Sequence, residues 1–121
     1  IYYTDLMKEN DSMISYCKFK ELFEVLDANR APEIEIFFHN RKDNYIIVKH
    51  IDHVTFSREG KEVAKDEVIK FQSLDELYNN KTIDDICLKE EWNNIDDILL
   101  DFTFSLIEDK KEIYNIYGIV L

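Results

Sequence analysis

Between Ile83 and Phe102 the chain packs carboxylates and large apolar side chains into the same short stretch. Asp84, Asp85, Glu90, Glu91, Asp96, Asp97 and Asp101 are interleaved with Ile83, Ile86, Leu88, Trp92, Ile95, Ile98 and Phe102. A disordered acidic tail lacks large apolar residues at this density, so the acids belong on a folded surface whose other side is packed. The charge distribution strengthens the constraint. Of the formal net charge of −11, Ser73 to Leu121 holds twelve acids against four lysines, a net of −8; Ile1 to Gln72 holds fourteen against eleven Lys and Arg, a net of −3.

A chain of 121 residues with 45% apolar content, eight Phe and seven Tyr is the size of one domain, burying roughly two-thirds of its unfolded surface without metal or disulfide support. The longest wholly apolar run, Tyr45 to Val48, is far below the ~20 residues needed to span a bilayer. No basic stretch precedes an apolar leader, so a soluble, cytoplasmic protein is expected; Ile1 is not an initiator Met, in keeping with a trimmed start. Cys17 and Cys87 form no CxxC pair, which points to two buried free thiols and away from a zinc ribbon or a disulfide scaffold. The negative charge opposes nucleic-acid phosphate and anionic membranes and favours a basic protein partner.

Only two Gly and one Pro occur, so Asn, Asp and charged turns must punctuate the chain. Residues 1–17 are polar and weakly periodic, which suggests a loosely attached arm ahead of a single domain over residues 18–121. Phe19, Leu22, Phe23 and Leu26 follow the i, i+3, i+4, i+7 rule and predict a helix from about Lys18 to Asn29, stopped by Pro32. Glu33 to Asn40 alternates with the period of a half-buried strand. Tyr45 to His50 and Val54 to Ser57 complete a three-stranded meander with a turn at Asp52, and Val68 to Gln72 predicts a further strand. Ser73-Leu-Asp-Glu76 has the form of a capping box opening a short helix from Leu74 to Asn79.

Thr82 to Asn94 has roughly helical spacing at Ile86, Leu88, Glu91 and Trp92, and Asp84 and Asp85 suit a helix N-terminus through its dipole. From Ile95 the pattern fits either class: Ile95, Ile98, Leu99 and Phe102 suit a helix; Ile98, Leu100, Phe102 and Phe104 suit a strand. The β-formers around Phe102 to Phe104 and Ile113 to Tyr117, with a polar turn at Glu108 to Lys111, favour a C-terminal hairpin.

The helix at Phe19-Lys-Glu-Leu22, the strand Glu33-Ile-Glu-Ile-Phe37, the hairpin strand Tyr45-Ile-Ile-Val48 and the run Phe71-Gln-Ser-Leu-Asp-Glu-Leu77, Ile83-Asp84, Leu88-Lys-Glu and Trp92 together resemble small single-domain proteins of AT-rich Firmicutes. The resemblance spans about Lys18 to Ile95. It implies an order of elements and no activity, cofactor or catalytic residue. Asp85 departs from it, standing where a Gly would follow the Ile-Asp pair, and Leu99 to Leu121 has no counterpart.

His50, Asp52 and His53, with His39 a strand away, are the ligand types for zinc. On a strand i and i+3 face opposite ways, so His50 and His53 converge only if a turn at Asp52 brings them round, and no metal is assigned. The acid pairs lack the alternating oxygens and Gly of a calcium loop. Adjacent acids on a helix point about 100° apart, so each pair spreads charge and makes no catalytic dyad. No nucleophile elbow or phosphate loop is present.

The expected fold is thus α+β: one domain with an antiparallel sheet, formed by a meander plus a C-terminal hairpin, packed with two or three helices. The expected function is a non-enzymatic, acidic interaction domain of immunity or inhibitor type. It would cover a basic partner surface with Asp84, Asp85, Glu90, Glu91, Trp92, Asp96, Asp97 and Asp101 and need no cofactor. A nucleic-acid mimic that inhibits a nuclease and a small-ligand or enzymatic domain with a pocket between sheet and helix are the alternatives. Trp92 also has the character of a core anchor.

Overall fold

The computed structural model describes residues 3–5, 14–59 and 68–101. Their order is β1 (Tyr3–Asp5), α1 (Tyr16–Val25), β2 (Glu33–Phe38), β3 (Asn44–Lys49), β4 (Val54–Glu59), β5 (Val68–Phe71), α2 (Leu74–Asn79), α3 (Leu88–Glu91) and β6 (Ile95–Asp101), with 3₁₀ turns at Ala28–Arg30, Ile83–Asp85 and Trp92–Asn94. The strands form one antiparallel sheet in the order β1-β6-β2-β3-β4-β5. An α+β domain with an antiparallel meander is therefore what the chain builds, and β6 returns to pair with the far side of β2.

One sheet face carries the core. Ile34, Ile36 and Phe38 of β2, Tyr45 and Ile47 of β3, Val54 and Phe56 of β4, and Ile98 and Leu100 of β6 pack with Phe19, Leu22 and Phe23 of α1, Leu74 and Leu77 of α2, and Leu88 of α3. The period-two alternation of each strand delivers these residues to one side. On the other side Glu35, Phe37, Ile46, Val48, Thr55, Ser57 and Leu99 are half-buried. Burial of Ile98 and Leu100 with Leu99 between them resolves the ambiguity after Ile95 in favour of a strand. The hairpin expected at Phe102 to Tyr117 lies outside the described residues.

Helix α1 begins two residues earlier than the apolar spacing predicts, because Ser15 caps it by accepting from the Lys18 N–H at 3.2 Å. It also ends earlier, at Val25, well before Pro32. Lys49 Nζ from β3 donates to the carbonyls of Phe23 (2.6 Å), Glu24 (3.2 Å) and Leu26 (2.8 Å), while the Asp27 carboxylate accepts from the Asn29 N–H and starts a new turn. An ammonium on the last carbonyls satisfies acceptors that continued helix would have used, and complements the helix dipole. Of residues 1–17, expected as a loose arm, Tyr3–Asp5 pair with β6 at the sheet edge, Ile14 is a core residue and Tyr16 opens α1. Cys17, expected to be buried, is exposed; Cys87 is buried.

Helix α2 has the bounds the capping box implies. Ser73 Oγ accepts from the Glu76 N–H at 3.1 Å, but the returning Glu76 carboxylate accepts from the Gln72 N–H at 3.3 Å, one residue before the cap. The expected continuous helix over Thr82 to Asn94 is corrected. Asp84 (φ 56°) and Asp85 (φ 60°) are left-handed, Ile86 and Cys87 are extended, and only Leu88–Glu91 is α-helical. Two consecutive left-handed residues cannot propagate a right-handed helix, so the dipole role expected for Asp84 and Asp85 does not arise. No helix among the described residues is long and apolar enough to cross a membrane.

Candidate partner-binding face

The acidic segment from Thr82 to Asp97 is a ribbon of tight turns pinned to the rest of the fold by its apolar residues. Ile86, Leu88, Trp92 and Ile95 are buried, and the Thr82 N–H and hydroxyl both donate to the Ile86 carbonyl, at 2.8 and 2.7 Å, closing the loop around Asp84 and Asp85. The Trp92 indole Nε1 donates to the Ile14 carbonyl at 2.8 Å. Its ring lies 5.4 to 5.9 Å from Phe19, Tyr16 and Tyr78. Only 7% exposed, it anchors the ribbon to α1 and α2.

The carboxylates fall into two sets. Asp84 turns back toward the sheet, where it accepts from the Tyr45 hydroxyl at 2.6 Å and from Arg58 Nη1 at 3.0 and 3.2 Å. Tyr45 is buried, stacked on Phe56 at 5.5 Å and edge-on to Phe38 at 5.6 Å, so its hydroxyl would otherwise be a polar group stranded at the core boundary. The Tyr45 hydrogen bond, followed by the Arg58 charge and opposed by desolvation, holds the Asp84 carboxyl below its ordinary range. Burial and the Asp84 carboxylate push the Tyr45 phenol upward, so it stays a donor.

Glu91 repeats the arrangement with Arg41. Arg41 Nε and Nη2 reach Glu91 at 3.1 to 3.3 Å in a forked pair, and Arg41 Nη1 touches the Asp84 carbonyl at 3.5 Å. Both partners are well shielded, 24% and 17% exposed. These contacts over-determine a backbone that two left-handed residues would otherwise disfavour by ~1–2 kcal/mol each. Arg41 and Arg58 were not singled out from the sequence, and their 50- and 26-residue separations from the acids leave no local signal.

The second set faces outward. Asp85, Glu90 and Asp96 are exposed. Asp96 is the extra residue of a bulge, since Phe37 lies opposite Asp97 and Phe38 opposite Ile95. Its carboxylate lies 3.5 Å from His39 Nδ1, a contact in which both side chains are more than half exposed. Asp97 is half-buried on β6, and Asp101 ends that strand. Of the eight residues expected to form one face, Asp84, Glu91 and Trp92 hold the ribbon in place, Asp85, Glu90 and Asp96 present charge, and Asp97 and Asp101 belong to β6.

His39 sits at the acidic end of the sheet, away from the other histidines. The turn at Asp52 does bring His50 and His53 together, with rings stacked 4.2 Å apart and 9° from parallel. Ring lone pairs lie in the ring planes, so two parallel imidazoles aim side by side and do not converge on one ion. Among the described residues no group of three His, Cys, Asp or Glu side chains is placed to hold a metal. No family model, curated protein or solved structure matches the chain.

Proposed function

We propose that this protein is a non-enzymatic interaction domain of immunity or inhibitor type that covers a basic protein surface with Asp85, Glu90 and Asp96. The supporting observation is the division of the acids: Asp84 and Glu91 are paired with Arg58 and Arg41 of the sheet and its loop, while Asp85, Glu90 and Asp96 are exposed on an anchored ribbon without an arginine partner among the described residues. A net charge of −11 adds long-range attraction for a cationic partner, which raises the association rate more than the final affinity. Rigid turns also fix the carboxylates in place, lowering the ordering cost on binding.

The test is the association rate with the binding protein recovered from the native cells, measured at low and high salt for the wild type and for the combined D85N, E90Q and D96N variant. The wild-type rate falls about tenfold or more as salt rises, and the variant loses most of that dependence. An unchanged salt dependence in the variant contradicts this function.

A further inference from the structure

The β3–β4 hairpin closes over Ile51 and Asp52, and both residues flanking this two-residue loop are histidines. The His50 N–H donates to the His53 carbonyl at 2.9 Å, extending the register that sets Lys49 opposite Val54. Residues directly opposite in an antiparallel pair share a face, which is why the two imidazoles stack. Asp52 Oδ1 holds His53 Nδ1 at 2.6 Å, and Thr55 Oγ1 holds His50 Nε2 at 3.2 Å. From β5, Lys70 stands opposite Thr55.

The loop is also one wall of an open cleft of about 430 Å³, whose other walls include Phe23 and Glu24 of α1 and Leu74 and Asp75 of α2. Across the cleft Lys20 and Asp75 are paired at 2.6 Å, so that wall carries a matched charge. Lys49, immediately before His50, is the residue that holds the last carbonyls of α1. The hairpin tip, the cleft and the end of α1 are thus joined through two adjacent residues.

We propose that the His50–His53 pair is an acid-sensitive latch: a second proton on the pair sets like charges face to face, separates the rings and opens the cleft wall beside α1. Asp52 is bonded to His53, so one positive charge in the stack has a carboxylate partner. Among the described residues, a second positive charge faces its stacked neighbour and Lys70 from the neighbouring strand, with Glu24 on the α1 wall of the cleft. Like charges directly opposite across a strand pair destabilise it. Burial first, then the His53 charge, lowers the proton affinity of His50 below its ordinary 6.5, with Asp52 opposing and Lys70 reinforcing the shift. For a base whose folded value is lowered, the stabilisation is complete above 6.5 and is lost as the pH falls from there through the folded value.

The test is NMR on the full chain between about pH 7.5 and about pH 5, the range in which histidine changes charge. It follows the imidazole signals and the exchange protection of the His50 amide, corrected for intrinsic exchange. The latch requires a His50 midpoint below 6.5, loss of the ring-stacking shifts along the same curve, and a severalfold fall in His50 protection with amides at the strand centres unaffected. His50→Gln makes the tip's protection independent of pH. A His50 midpoint at or above the ordinary value, protection that does not change, or the same pH response in His50→Gln overturns the proposal. If His50→Gln fails to fold, the wild-type titration and exchange decide it alone.

Discussion

The two ends of the β3–β4 hairpin use charge in opposite ways. At the Asn44–Glu59 end, Tyr45 and Arg58 close on Asp84, and the neighbouring Arg41 closes on Glu91. The Asp84 and Glu91 carboxylates there are each matched by an arginine. At the tip, His50 and His53 stack with one bonded carboxylate between them, so the balance depends on protons. Matched, shielded charges fasten a ribbon to a sheet; a singly matched titratable pair makes the opposite end responsive.

The comparison breaks most severely if the ribbon loses its anchor. Trp92→Ala is expected to cost about 3–5 kcal/mol in urea unfolding, because it removes a buried indole shared by α1, α2 and the ribbon and leaves the Ile14 carbonyl without its donor. A loss below about 1 kcal/mol would return Trp92 to the surface. Next in size, Arg41→Met strands Glu91 in a shielded site and is expected to cost about 2–3 kcal/mol. Toward the tip, Lys49→Met removes three carbonyl contacts and the helix-end charge, for about 1–2 kcal/mol and some loss of far-ultraviolet helix signal.

Much of the fold could be read along the chain, and the reason is locality. Ser73 and Glu76 lie within one helical turn, and the alternation of Ile34, Ile36 and Phe38 needs only its own strand to be recognised. The site was less legible. Seven carboxylates look equivalent in sequence, and what separates Asp84 from Asp85 is Arg58, brought in by a sheet register 26 residues away. Likewise the Thr82–Asn94 helix failed at residues whose left-handed conformation is stabilised by those same distant arginines. Asp85 takes a positive φ that Gly adopts without a Cβ penalty.

That left-handed position yields a smaller effect of opposite sign. Asp85→Gly relieves the left-handed strain at an exposed position and is expected to change stability by between zero and about +1 kcal/mol. The two hairpin ends should also separate in acid. The tip responds first, below pH 6.5. The Asp84 end holds until lower pH: its carboxyl is depressed, so its contribution is complete above 3.8 and is lost as the pH falls through the lowered folded value. A single, simultaneous transition of His50 ring signals and Tyr45 ring signals would erase the distinction.

The division of the acids into fastening and presenting sets is tested most directly by urea unfolding of Asp84→Asn beside Asp85→Asn. These adjacent substitutions remove the same charge. The account predicts that Asp84→Asn loses about 2–3 kcal/mol, through Arg58 and the Tyr45 hydroxyl, while Asp85→Asn stays within about 0.5 kcal/mol of the wild type. Equal losses at the two positions would contradict it.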